Sequence, residues 1–367
     1  MNSSIKSMIT PYVEYVQRQP AVTGKKPNPN TLTAPEQEIM REAGKAIKTW
    51  QSSPEGKAKL ASMQNMSLYE INNELAALLQ NPVFQKTMQL IQDHPKLAAA
   101  LQSFPIHSVS IGIKFEAEII VGVSGCIGYA VDPTDLTGVS ASFLSLALDA
   151  GVEGGAFGGI QFGIWEVTPD NMNGLAFGAE ATLGVDVGLS IGISTGTSSH
   201  TLGATVSAIA GEDVGVEFDV SYTFLLTEAD LGLKPAYQFP ADHFLILDKL
   251  TCENTKDVGK DEVFFKFIID GDKSYTYPSW DYRSMGTDKD NNEWYVGRSV
   301  WFNNKVEVVL YDSEDGGGDD VMKPSDSDHS FKFTLDDFKN NKKISKTMDY
   351  TSRLNEVKYK LSAVLVK

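Results

Sequence analysis

The stretch Val109-Ser110-Ile111-Gly112-Ile113-Lys114-Phe115-Glu116-Ala117-Glu118-Ile119-Ile120-Val121-Gly122-Val123-Ser124-Gly125-Cys126-Ile127-Gly128-Tyr129-Ala130-Val131 has an apolar residue or glycine at every odd position. Its even positions are mostly serine, glycine, lysine and glutamate. Side chains alternate across a strand with period two, so this parity predicts strands with one apolar and one polar face. Three further runs keep it: Leu144 to Val152 resuming at Ile160, Phe162 and Ile164; Leu175 to Ile193; and Leu202 to Phe224. A single strand of about twenty residues would extend roughly 65 Å, against a usual length of about five or six residues. Glycines near the middle of each run (Gly122, Gly125, Gly154, Gly155, Gly184, Gly188, Gly211, Gly215) therefore read as bends. They would divide the four runs into about eight strands of a barrel or sandwich. Two loops share a Pro-x-Asp/Asn-apolar-x-Gly frame, Pro133 to Gly138 and Pro169 to Gly174, 36 positions apart, and read as equivalent turns of an internal repeat.

Charge is concentrated in the same region. Residues 106–228 hold 20 of the 31 glycines and set one basic residue, Lys114, against 15 acidic ones, a net of −14 within a chain total of −16. This balance opposes phosphate neutralisation, so nucleic acid is excluded as an expected partner.

The flanks differ in character. Residues 1–105 carry helix-start signals: Ser53-Pro54-Glu55, the capping-box spacing of Ser67 to Glu70, and Asn81-Pro82. Residues 245–367 carry short apolar runs, Val263 to Ile269, Lys305 to Tyr311, Phe331 to Phe333 and Val357 to Leu365, separated by acidic loops. The expected fold is a multidomain α+β chain: a helical module over 1–105, a Gly-rich antiparallel β barrel or sandwich over 106–244, and an antiparallel β-sandwich over 245–367.

The alternating runs admit three uses. As bent strands they close a soluble barrel. As membrane-spanning hairpins, their Val, Ile and Phe face would meet lipid, and a lumen lined by residues such as Glu116, Glu180, Asp186 and Glu217 would favour cations. As a small closed barrel, they could surround a hydrophobic ligand.

The clearest chemical signal lies in the last third. Tyr311-Asp312-Ser313-Glu314-Asp315-Gly316-Gly317-Gly318-Asp319-Asp320 follows an apolar strand, and Asp257-Val258-Gly259-Lys260-Asp261-Glu262 precedes another. A hard cation such as Ca²⁺ takes six to eight oxygens, which carboxylates and glycine-loop carbonyls can supply together. The spacing is not that of an EF-hand loop. Thr251-Cys252 with Asp257-x-Gly259-x-Asp261-Glu262, then Leu310-Tyr311-Asp312 with Asp319-Asp320, resembles the calcium-binding C2-like β-sandwich modules of secreted and toxin-like proteins. That resemblance implies Ca²⁺ at one loop end, held by Asp261, Asp312, Asp319 and Asp320, with Glu262, Glu314 and Asp315 as further ligands.

Catalysis finds little support in the sequence, and an enzyme using dispersed carboxylates such as Glu116 and Glu118, which share a strand face, is the third reading. The five histidines are scattered singly, and Gly122-Val123-Ser124-Gly125 lies within an alternating run, without the nucleophile elbow. The expected protein is non-enzymatic and binds a membrane or a cell-surface glycan or receptor with calcium as adaptor. It would act as a pore-forming toxin or injected effector and could self-associate. The alternative is a carrier of a hydrophobic ligand or an adhesin-like binding protein. No run is apolar enough for a membrane helix, and the N-terminus lacks the apolar core of a signal peptide. A cytoplasmic protein secreted or injected by another route is expected.

Overall fold

The computed structural model describes residues 3–19, 34–92, 106–115, 123–134, 140–148, 159–183, 189–195, 201–208, 216–226, 243–255, 260–271, 273–277, 283–288, 292–312, 320–321, 330–351 and 356–366. The chain is a multidomain α+β protein of two compact units, Met1–Pro235 and Ala236–Lys367.

The first unit opens with helices α1 (Ser3–Gln17), α2 (Ala34–Ser52), α3 (Pro54–Met63), α4 (Leu68–Leu79) and α5 (Pro82–Gln92). The starts foreseen from sequence are made by local chemistry. Ser53 Oγ accepts from the Gly56 amide at 2.9 Å, and Asn81 Oδ1 accepts from the Val83 amide at 3.0 Å. Ser67 and Glu70 complete a reciprocal capping box. Glu42 of α2 accepts from Lys45 at 2.6 Å and from Lys86 of α5 at 2.8 Å, tying the two helices together. Hydrogen bonds from these two ammonium groups hold its carboxyl down at about 2, so the tie is lost only as the pH falls towards that value.

The alternating runs become eight strands: β1 (Ser108–Phe115), β2 (Val123–Val131), β3 (Ser140–Leu148), β4 (Gly159–Trp165), β5 (Gly174–Leu183), β6 (Leu189–Thr195), β7 (Thr201–Ala208) and β8 (Val216–Leu225). They close an antiparallel barrel in the order β1-β2-β3-β8-β5-β6-β7-β4. The order contains two Greek keys, since β4 returns beside β1 of its own meander and β8 beside β5 of its own. Each returning strand then seals the barrel against the other meander, β4 on β7 and β8 on β3. The repeat is therefore a four-strand unit used twice. This corrects the turn equivalence: the Pro133 loop links the paired strands β2 and β3, whereas the Pro169 loop carries the chain from one Greek key to the next.

Of the glycines read as bends, only Gly125 lies within the described residues, in β2; the others lie outside them. Two other strand glycines are seats for aromatic rings. Phe143 faces Gly128 in the β2–β3 register, and a Cβ there would lie 2.1 Å from the ring. Trp165 crosses Gly203 in the same way, at 2.2 Å.

Among the described residues the apolar face of the barrel is buried within the unit. Val109, Ile111, Ile113, Ile160, Phe162 and Ile164 are all 0% exposed. On the same face, Tyr12 and Tyr15 of α1 pack on Phe224 at centroid distances of 4.9 and 5.6 Å, and Tyr15 also meets Tyr222 edge-on. Ser142 of β3 bonds Asn72 of α4, and Gln51 of α2 accepts from the Ile160 amide. A lipid-facing barrel presents its apolar side outward. Here the described part of that face is buried inside the unit, with the Tyr12 and Tyr15 rings of α1 packed on it at Phe224.

The second unit pairs two antiparallel sheets built from β9 (His243–Asn254), β10 (Asp261–Ile269), β11 (Lys273–Tyr277), β12 (Arg283–Met285), β13 (Glu293–Phe302), β14 (Lys305–Asp312), β15 (Asp320–Val321), β16 (Ser330–Thr334), β17 (Lys343–Thr351) and β18 (Glu356–Leu365). One sheet runs β11-β10-β14-β15, with β12 on β10 and β16 on β14; the other runs β13-β9-β18-β17. Inward residues of β10 alternate strictly, and Phe265 stacks on Trp294 at 4.8 Å. Trp294 thus belongs to the core.

Candidate functional site

Because β10 and β14 are antiparallel, the start of one and the end of the other lie at the same edge of the sheet. Their register pairs Val263 with Asp312, leaving Asp261 two residues further out. On the other side of β14, Asp312 stands directly opposite Asp320 of β15. Three of the seven expected ligand positions, Asp261, Asp312 and Asp320, thus lie on three neighbouring strands at that edge. Two buried carboxylates at one sheet edge, those of Asp261 and Asp312, repel each other, a cost that a cation beside them would reduce. Glu314, Asp315 and Asp319 lie outside the described residues.

Strand parity separates the two neighbours at the start of β10. Asp261 is on the inward face and 0% exposed, whereas Glu262 is half-buried on the other face. Asp312 is 1% exposed, and its Oδ1 accepts from the Glu262 amide at 2.9 Å. That bond fixes the carboxylate at the strand end. Asp261 Oδ2 accepts at 2.6 Å from the Tyr359 hydroxyl, which reaches across from β18 of the opposite sheet. Beside it in the β18–β9 register stands Cys252.

Burial sets the chemistry of this inner layer. Desolvation, followed by the Asp261 charge, raises the Tyr359 phenol far above its ordinary range, so it remains a donor. Burial pushes the Cys252 thiol up to about 11, so it is a weakly polar core group rather than a nucleophile. Cys126 in the barrel is likewise pushed up by burial, to about 12. Sequence reasoning did not find Tyr359. The alternation of Val357, Tyr359 and Leu361 marks it as inward, but its partner lies 98 residues away on another sheet.

The oxygen set suits a hard cation: carboxylates, with glycine-rich sequence beside them. Among the described residues no three His, Cys, Asp or Glu side chains are grouped closely enough to hold a metal. Ligands beyond Asp261 and Asp312 would have to come from residues 256–259 and 313–320.

No family model matches the chain, and no curated protein matches it. Among solved structures, a β-barrel-like protein from Brucella abortus is 11% identical, with a TM-score of 0.28, over 44% of this chain and 94% of its own. The SMP domain and two C2 domains of an extended synaptotagmin are 10% identical, with a TM-score of 0.22, over 81% of this chain and 68% of theirs. Similarities of this size leave the fold and the site to be argued from the chain itself.

Proposed function

We propose that the chain is a non-enzymatic, calcium-dependent surface-binding protein whose C-terminal sandwich presents Ca²⁺ at the edge formed by β10, β14 and β15. The supporting observation is the register that sets Asp312 between the start of β10 and Asp320, with the buried Asp261 carboxylate close by. Calcium there relieves the repulsion and leaves outward coordination positions for a lipid phosphate or a glycan hydroxyl. At a net charge of −16 the chain is repelled by anionic surfaces, so divalent bridging has work to do. The barrel needs no insertion step in this scheme, since the described part of its apolar face is already buried.

The test is co-sedimentation of the full chain with phosphatidylserine-containing vesicles. Pelleting in saturating Ca²⁺, release by chelator, and no leakage of entrapped dye are expected. Pelleting that ignores the chelator, or none in Ca²⁺, contradicts calcium-dependent docking on lipid. Dye release would mean that the helices leave the barrel.

A further inference from the structure

The connection between the two Greek keys contains a short 3-10 turn, Pro169–Asn171, packed against β3. Asp170 within it is 7% exposed, and both of its carboxylate oxygens are closed to solvent without a hydrogen-bond partner. Three neighbouring donors are spent elsewhere. Asn171 Nδ2 donates to Thr168 Oγ1 at 2.9 Å, the Asn171 amide to the Thr168 carbonyl, and Ser108 Oγ to the Val167 carbonyl at 2.7 Å. Lys114, the one basic residue between 106 and 228, sits at the far end of β1. Ser108 pairs with Trp165, next to the turn, and Lys114 with Gly159 six positions away, a separation of about 20 Å along a strand. A buried carboxylate left without a hydrogen-bond donor is among the costliest groups a fold can hold.

We infer that Asp170 holds a monovalent metal cation, Na⁺ or K⁺, at the junction of the two Greek keys. A carboxylate ligand selects a hard ion. The charge count selects its valence, because one buried carboxylate neutralises one positive charge, whereas a divalent ion would leave a net charge in an apolar setting. Among the described residues no acidic partner completes a three-group cluster that a divalent ion would want. The ion closes the junction electrostatically and so stabilises the barrel, independently of any calcium at the sandwich.

The test compares the thermal midpoint of the full chain in choline, sodium and potassium chloride at equal ionic strength. At about ten times the dissociation constant, one alkali ion raises the midpoint of the barrel unit by about 3–5 °C over choline. Asp170→Asn abolishes that difference, while Asp312→Asn, at the sandwich edge, keeps it. Equal midpoints of the wild-type chain in all three salts overturn the inference, and that comparison decides even if the Asn variant does not fold. A difference that survives in Asp170→Asn, or one that only Ca²⁺ produces, overturns it as well.

Discussion

Phe224→Ala is expected to destabilise the barrel unit by about 3–5 kcal/mol, the range for deleting a fully buried aromatic ring. Phe224 is 1% exposed and is held between β8 and α1, touching Tyr12 at 4.9 Å and Tyr15 at 5.6 Å. Its removal leaves a cavity that two tyrosines and a closed sheet cannot collapse to fill. For a unit of this size the loss corresponds to a midpoint lower by about 10 °C. The helix-side partner makes the effect specific. Tyr12→Ala should be non-additive with it by about 0.5–1.5 kcal/mol, since the two rings form one contact. A loss below about 1 kcal/mol, or strict additivity, would mean that α1 does not dock on this face.

The second large effect is at the sandwich. Tyr359→Phe keeps the ring but removes the hydroxyl that donates to Asp261 at 2.6 Å, leaving a fully buried carboxylate short of a donor. The expected cost is about 2–3 kcal/mol, in the upper range for a buried polar group losing its partner when the acceptor is charged. Calcium should reduce it, because a cation beside Asp261 replaces part of the lost stabilisation. Denaturant unfolding of wild type and variant, with chelator and with saturating Ca²⁺, measures both. A cost below about 0.5 kcal/mol contradicts the inter-sheet bond. The same cost in both conditions places calcium away from Asp261.

Much of the fold was legible in the sequence because its signals are local. Ser53, Ser67 and Asn81 announce helix starts through bonds that span two or three residues, and parity announces strands residue by residue. Closure was not legible, because it depends on pairings such as Ile111 with Phe162 and Phe177 with Val220. A period of two says which face a residue occupies but not which strand lies beside it. The shared Pro-x-Asp/Asn frame misled for the same reason, since similar local turn chemistry can join neighbours or carry the chain to a new motif. At the candidate site, the acidic runs mark the start of β10 and the end of β14. Composition could not show that Asp261 faces the core, that Glu262 does not, or that Asp312 is opposed by Asp320.

Calcium at the sandwich edge is tested most directly by calorimetric titration of Ca²⁺ into the full chain, beside Asp312→Asn. The asparagine can still accept from the Glu262 amide, so it removes charge while keeping the local fold. Saturable binding is expected in the wild type, with affinity weaker by about tenfold or more in the variant, as follows from losing one charged ligand. No saturable heat in the wild type, or equal affinity in the two proteins, would contradict a calcium site at Asp312.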